Sequence, residues 1–326
     1  MAGIRDVAKR AGVAACTVSR VLNGTAAVAP ETRMKIEQAM RELDYVPNEL
    51  ARGMFLQKSG IIAMLVPSIK HPFFSSLADC IEKCLYDNGY KLMLCSTSGD
   101  IEREREYLNM FKSNLVDGVI MAVNGLEDAA YIQFQKPMVM LDYSVGERIP
   151  FVVSDHKTGG RLAAEEFIRN KCRNVLHLCA AKEEREVLSY ESHRELEKIL
   201  KAHGINTRNQ EIKWNDFDLK GYRDLAGLIL QSYPEIDGIM AADMPATAFY
   251  EAALKLGRKV PEEFCIVAYD GTYAVDITDG RLTAVVQQLE CISTEVVRSL
   301  LKQLRKEKAD TKGVFVPVKL RKGSTT

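Results

Sequence analysis

At 326 residues, with 47% hydrophobic and 27% charged residues and no formal net charge, the chain is too long for one small core and too apolar for disorder. No apolar run approaches the roughly 18 residues of a membrane span, and the amino-terminal MAGIRDVAKR lacks the apolar stretch of a signal peptide, so a cytoplasmic protein is expected. The eight cysteines form no CxxC pair, which argues against a zinc or redox motif and for reduced, buried thiols.

Charge is unevenly spread. Residues 1–58 hold nine Lys/Arg against six Asp/Glu, a balance of +3 that leaves −3 on the remainder. A basic head on an acidic body suits a reader of nucleic acid joined to a second unit.

The first 45 residues read as three short helices. Ile4, Val7, Ala8 and Ala11 follow helical spacing up to Gly12, which ends the helix in a tight turn. A second helix runs from about Ala15 to Asn23 with Val18, Val21 and Leu22 inward, closed by Gly24. A third begins near Pro30, a favoured first helical residue, and is expected to bury Met34, Ile36, Ala39, Met40 and Leu43. Asn48 then caps a short helix over 49–56, followed by a linker at 58–60.

From Ile61 strands and helices alternate. Strands are expected at 61–66, 91–95, 118–122, 138–141 and 152–153, with helices at 73–88 and 101–114. The rhythm restarts with helices at 160–170, 185–202, 221–231 and 245–256 and strands at 175–179, 238–241 and 266–269. Two such series imply two doubly wound parallel-sheet lobes, with a ligand cleft at the carboxyl ends of the strands.

Helix, glycine turn, helix over residues 4–24 is a helix-turn-helix arrangement. The outer face of its second helix offers Ala15, Cys16, Thr17, Ser19, Arg20 and Asn23. The hydroxyls and amide of Thr17, Ser19 and Asn23 suit phosphate oxygens, and Arg20 is long enough to reach O6 and N7 of a guanine.

This phrase, with VAPETR at 28–33, YVPNELAR at 45–52, HPFF at 71–74, AYD at 268–270 and GST at 323–325, closely resembles the lactose-repressor/galactose-repressor family over essentially the whole chain. The resemblance implies a fold with an all-α helix-turn-helix head and an α/β body of two doubly wound parallel-sheet lobes like a periplasmic binding protein. It implies a head at 1–46, a hinge helix at 47–58 and a ligand-sensing, dimerising body at 59–326. Lobe one would take about 60–156 and 287–318, and lobe two about 157–286 and 319–326. The partners implied are double-stranded operator DNA, a second copy of the chain and a small effector of carbohydrate-related chemistry; no cofactor, metal or membrane is called for. Ala15, Cys16 and Arg20 would face bases, with Thr32, Tyr45 and Asn48 joining the DNA-facing set. Met54 stands where the family wedges a leucine into the minor groove. Gly53 costs the hinge helix on the order of 0.5–1 kcal/mol, and Ala14 stands where the family commonly has a serine cap, a loss of about 1 kcal/mol.

In the body the resemblance points to Phe73, Phe74 and Phe217 as ring contacts for an effector, and to Asp142 and Asp270 at strand ends as polar grips. Two grips depart from the family. Its arginine becomes Ser192, with Arg194 or His193 as the nearest substitutes, and its Ala-Asn-Asp phrase reads Ala241-Ala242-Asp243. Loss of a bidentate arginine removes an oriented donor set, so unmodified hexoses should bind weakly. The expected effector is smaller, or carries a cationic or donor-rich group suited to Asp142, Asp243 and Asp270. The alternative is a body that serves as a protein-interaction module. An enzyme is not expected: there is no Walker loop, GxSxG, strand-borne GxGxxG or metal-spaced histidine set, and Gly159-Gly160 reads as packing.

Overall fold

The structure is a computed structural model. It describes residues 2–24, 27–46, 58–113, 115–180, 187–212, 218–277, 281–307, 311 and 313–326. The expected hinge helix, including Asn48 and Met54, and the Phe217 phrase lie outside the described residues. The chain divides into two compact units, residues 1–60 and 61–326.

Among its described residues the first unit holds three helices: α1 (Ile4–Ala11), α2 (Ala15–Asn23) and α3 (Pro30–Glu42). Gly12 and Gly24 close the first two at φ 67° and 64°, a conformation nearly free only to glycine. Asp6 accepts the Gly3 N–H at 2.8 Å and so satisfies one donor at the start of α1. Val7, Ala8, Val18, Val21, Ile36 and Ala39 form the core, with Leu22, Met40, Leu43 and Tyr45 packed around it. Met34 is not in that core: it is 61% exposed. Ile36, Ala39, Met40 and Leu43 follow the spacing of one helical stripe, and a residue two positions before Ile36 falls on the opposite face.

Among its described residues the second unit contains two six-stranded sheets. The first is built from β1 (Ile61–Val66), α4 (Pro72–Asp87), β2 (Lys91–Ser96), α5 (Ile101–Phe111), β3 (Gly118–Met121), α6 (Asp128–Ile132), β4 (Met138–Leu141) and β5 (Phe151–Ser154). The second follows with α7 (His156–Arg169), β6 (Asn174–Ala180), a 3-10 turn (Leu188–Tyr190), α8 (Glu191–Ala202), β7 (Asn206–Ile212), α9 (Leu219–Ser232), β8 (Gly238–Ala242), α10 (Asp243–Lys255), β9 (Cys265–Asp270) and β10 (Thr283–Gln287). The chain then returns as α11 (Leu289–Leu304) and β11 (Val314–Val316), and ends in β12 (Val318–Arg321). Strand orders are β11-β5-β4-β3-β1-β2 and β12-β10-β9-β8-β6-β7. Both reverse beside their first strand, the doubly wound arrangement.

Alternation along β1 explains the layering. Ile62, Met64 and Val66 enter one core cluster, whereas Ala63 and Leu65 enter another on the opposite face. A strand buried on both faces is what a parallel sheet covered by helices requires.

The last two strands fix how the sheets meet. β11 runs parallel to β5, and one residue later, after Pro317, β12 runs antiparallel to β10. The chain thus leaves the first sheet at its carboxyl edge and enters the second at its carboxyl edge. The two carboxyl edges face each other, joined by crossings at 154–156, 287–289 and 316–318.

The carboxyl-terminal phrase has a local role. Thr325 is fully buried, donates to the Ile266 carbonyl at 2.7 Å and accepts the Thr283 N–H at 2.9 Å. Glu166, also fully buried, accepts from Arg169, Lys322 and, at 3.0 Å, Thr326. Among the described residues no helix is long and apolar enough to cross a membrane.

Candidate functional site

In the head, α2 presents a mixed outer face. Cys16 and Arg20 are exposed, and Ala15, Thr17, Ser19 and Asn23 are partly exposed. Asn23 donates to Ser19 Oγ at 3.2 Å, so two of the polar candidates hold each other one turn apart and keep their remaining valences outward. Ala14 takes the N-cap position with extended backbone (φ −70°, ψ 147°) and gives no side-chain cap, which leaves the start of α2 to backbone turns alone. Thr32 is partly exposed in the first turn of α3. Tyr45, also partly exposed, is fixed after α3 by its N–H on the Met40 carbonyl at 2.9 Å. Arg10 pairs with Glu42 at 2.6 Å, tying α1 to α3, so its charge is spent inside the head.

In the body, the polar side chains collect where the three crossings meet the strand ends. Asp142 follows β4 at φ 53°, and Asp270 ends β9 at φ 106°; both occupy backbone that side chains rarely adopt. Ser154, the last residue of β5, donates to Gln287 Oε1 at 2.7 Å, and Gln287 Nε2 donates to Asp270 Oδ1 at 2.7 Å. This relay starts in the first sheet and ends in the second. A second one runs beside it: His156 Nε2 lies 3.1 Å from Asp142 Oδ1, and His156 Nδ1 lies 2.9 Å from the Tyr269 hydroxyl. Burial and the neighbouring Asp243 push the Asp270 carboxyl well above its usual range. Burial, then Asp270 and Asp142, raise the Tyr269 phenol likewise.

Other expected grips are turned elsewhere. Asp243 is the first residue of α10 and is 2% exposed. Its carboxylate accepts from Gly271 N at 3.0 Å and from both Thr272 N and Thr272 Oγ1 at 2.6 Å. It therefore clamps the loop that follows Asp270, and burial outweighs those bonds to lift its pKa to about 6. Ser192 is buried, with its hydroxyl donated to the Ser189 carbonyl at 2.8 Å. Arg194 is exposed on α8, paired with Glu191 at 2.7 Å and lying over the Tyr190 ring. His193 stacks on His177, and burial together with His177 and His156 pulls its pKa down to about 3.

Phe73 is buried in the core under α4, and Phe74 is partly exposed beside it, edge-on to Phe73 and to His71. His71 caps α4 by accepting the Phe73 N–H at 3.1 Å, so the HPFF phrase sets the entry to that helix and the direction of Phe74. The glycine pair has a packing role. A Cβ on Gly159 would overlap the Tyr269 hydroxyl, and one on Gly160 would overlap the Ser192 carbonyl oxygen.

Residues 3–48 match the bacterial regulatory proteins of the lacI family, and residues 164–326 match a periplasmic binding protein-like domain. Over 332 aligned residues the chain is 36% identical to the ribose operon repressor of Halalkalibacterium halodurans, an alignment that spans 100% of this chain and 97% of that protein. The chain belongs to the LacI family of bacterial regulatory proteins. As a LacI-family member it has the helix-turn-helix head and the periplasmic-binding-protein-like body of DNA-binding transcription regulators. Its fold is that of the lac repressor dimer solved with operator and an anti-inducer: TM-score 0.85, 22% identity, 100% of this chain and 99% of that one. A LacI-type regulator from Alkaliphilus metalliredigens, solved with D-xylulofuranose, aligns at 26% identity and TM-score 0.74 over 82% of this chain and 99% of that chain.

Sequence reasoning missed His156, Tyr269, Ser154 and Gln287. One signal was present: Ser154 ends a strand, Asp155 caps the next helix and His156 opens it. The reading began that helix at Gly160, one turn late. It also began α8 at 185, whereas a 3-10 turn precedes the helix start at Glu191.

Proposed function

We propose that this chain is a repressor that binds a near-palindromic operator as a homodimer and senses a pentose-sized, polyhydroxyl effector between the carboxyl edges of its two sheets. Residues 1–46 read the DNA through α2, residues 47–58 form the hinge with Met54 at its wedge position, and residues 59–326 sense and dimerise in the cytoplasm. On α2, Arg20, Cys16 and Ala15 face bases, and Thr17, Ser19 and Asn23 take phosphates.

The observation that carries the sensing half is the meeting of Asp142, Ser154, Gln287 and Asp270 at the carboxyl ends of β4, β5, β10 and β9. Strand carboxyl ends are where such folds bind ligands, and this set offers alternating donors and acceptors without a fixed charge clamp. Ser192 and Ala242 in place of the family's arginine and asparagine leave fewer directed bonds than a hexose needs to offset its desolvation. One relative is named for the ribose operon and one solved neighbour holds D-xylulofuranose, which supports a five-carbon effector here.

Calorimetry of the full-length protein against ribose, xylulose, glucose and galactose tests this, paired with gel shifts on the segment upstream of its own gene. Micromolar pentose binding that changes operator affinity is the expected result. Tight glucose or galactose binding overturns the size assignment, and no binder at all favours a body that answers to a protein partner.

A further inference from the structure

The polar side chains between the two sheets do not contribute equally to the cleft. Asp142 belongs to the first sheet's side, where its N–H is donated to the Val152 carbonyl at 3.1 Å, yet its carboxylate and its carbonyl are both held from the second. Its carboxylate meets His156 Nε2 at 3.1 Å, and its backbone carbonyl accepts the Leu188 N–H at 3.2 Å. The Asp142 side chain keeps 26% of its surface, whereas that of His156 keeps 2%. One face of the carboxylate is therefore open to a ligand while the imidazole behind it is sealed. The ring itself is fixed on its far side by the Tyr269 hydroxyl at 2.9 Å, and that hydroxyl sits on Gly159, where no side chain fits. One ring nitrogen thus faces the phenol and the other faces the Asp142 carboxylate, so the imidazole is held from both sides. Phenol, imidazole and carboxylate thus form one oriented file that begins in β9 and ends across the cleft.

We propose that His156 is the positioning residue of the sensor: it aims the Asp142 carboxylate at the effector and, through that contact, couples effector binding to closure of the two sheets on each other. The proposal rests on the reading that an effector binds at these strand ends. Asp142 sits at φ 53° just past the end of β4, and the imidazole of His156, 3.1 Å from Oδ1, supplies an orientation for its carboxylate. An effector hydroxyl bound to Asp142 then meets an acceptor already turned toward it, and binding it favours the closed arrangement in which the His156 and Leu188 contacts exist.

The test uses the full chain and D-ribose as the probe. His156→Ala should weaken ribose binding about tenfold or more in calorimetry, the loss expected for one hydrogen bond to a charged group. His156→Gln, which keeps an N–H within reach of Asp142, should recover most of that loss, a rescue that a purely structural role does not produce. Asp142→Ala and the Asp142→Ala, His156→Ala double variant should bind equally weakly, because the histidine acts through the aspartate. Tyr269→Phe, which fits the same space, should give a smaller loss and serves if His156→Ala does not fold. Unchanged affinity in His156→Ala, or losses that multiply in the double variant, overturns the proposal. If the wild-type protein binds no ribose, the effector reading falls, and hydrogen exchange in sugar-free protein then decides this one. Faster exchange at the Leu188 amide in His156→Ala upholds the bridge; equal exchange refutes it.

Discussion

The head and the body carry their chemistry in opposite ways. In the head, six candidate residues lie on one nine-residue helix, where helical geometry alone puts them on a common face. In the body, Asp142, Ser154, His156, Tyr269, Asp270 and Gln287 come from segments spread over more than a hundred residues and meet only because two sheets present the same edge to each other. The head is thus robust to change away from its reading helix. The body's site depends on close packing at points that never touch a ligand.

The largest expected effect exploits that dependence. Gly160→Val drives a side chain into the Ser192 carbonyl at the contact between α7 and α8, and should cost the body about 3 kcal/mol or more. Calorimetric melting should show the body transition lost or displaced strongly downward while a peptide of residues 1–46 is untouched by definition; a normal melt would mean that the two helices separate easily.

Next comes the arginine proposed to read a base. Arg20→Ala should weaken operator binding by roughly 1–3 kcal/mol and binding to unrelated DNA much less. Equal losses on both DNAs in a titration would assign Arg20 to phosphate and erase the contrast between base reading in the head and packing-built recognition in the body.

These two cases also show what was legible beforehand. The helix-turn-helix could be read because its code is local: Gly12 and Gly24 mark the turns, and Val18 and Val21 mark the inner face. The doubly wound body could be read because β1 is apolar throughout and β9 is so up to its last two residues, Tyr269 and Asp270. Two things were not legible. β7 alternates mostly polar residues at a sheet edge, and its neighbour β6 supplies the pairing that makes it a strand. His156 and Tyr269 are 113 positions apart, and no periodicity predicts a contact that the crossing at 154–156 creates. Asp243 was read as a ligand grip from its position after a strand; as the first residue of α10 it instead faces the Gly271 and Thr272 amides.

Acid sharpens the comparison further, since the strongly shifted groups belong to the body. Burial holds His71 at about 4, below the usual 6.5 of histidine. The unfolded chain therefore takes up this proton first as pH falls, and the associated stability is complete above about pH 6.5 and is lost toward pH 4. Asp243 and Asp270, raised by burial, act with the opposite sign, so variants must be compared at each pH. His71→Asn retains an acceptor for the Phe73 N–H but cannot be charged. Between pH 7 and pH 5 it should lose about 1–2 kcal/mol less than the wild type in denaturant melts. Parallel losses would place the acid sensitivity elsewhere.

The smallest effect belongs to the head. Ala14 already has N-cap backbone geometry, so Ala14→Ser supplies the missing acceptor at no conformational cost and should stabilise the head by about 0.5–1 kcal/mol. A thermal melt of the head that does not rise would mean that the start of α2 is satisfied without a cap.

The single residue Pro317 between β11 and β12 has a consequence for how this gene can be cut. A fragment that stops before residue 289 encodes both sheets short of their final strand, and no one breakpoint releases either sheet whole. Recombination among proteins of this build can exchange the head at a single junction near Gly60. Exchanging one half of the body instead takes three simultaneous junctions, at 154–156, 287–289 and 316–318. One crossover therefore suffices to replace the helix-turn-helix unit, whereas half of the body can be replaced only by three that coincide.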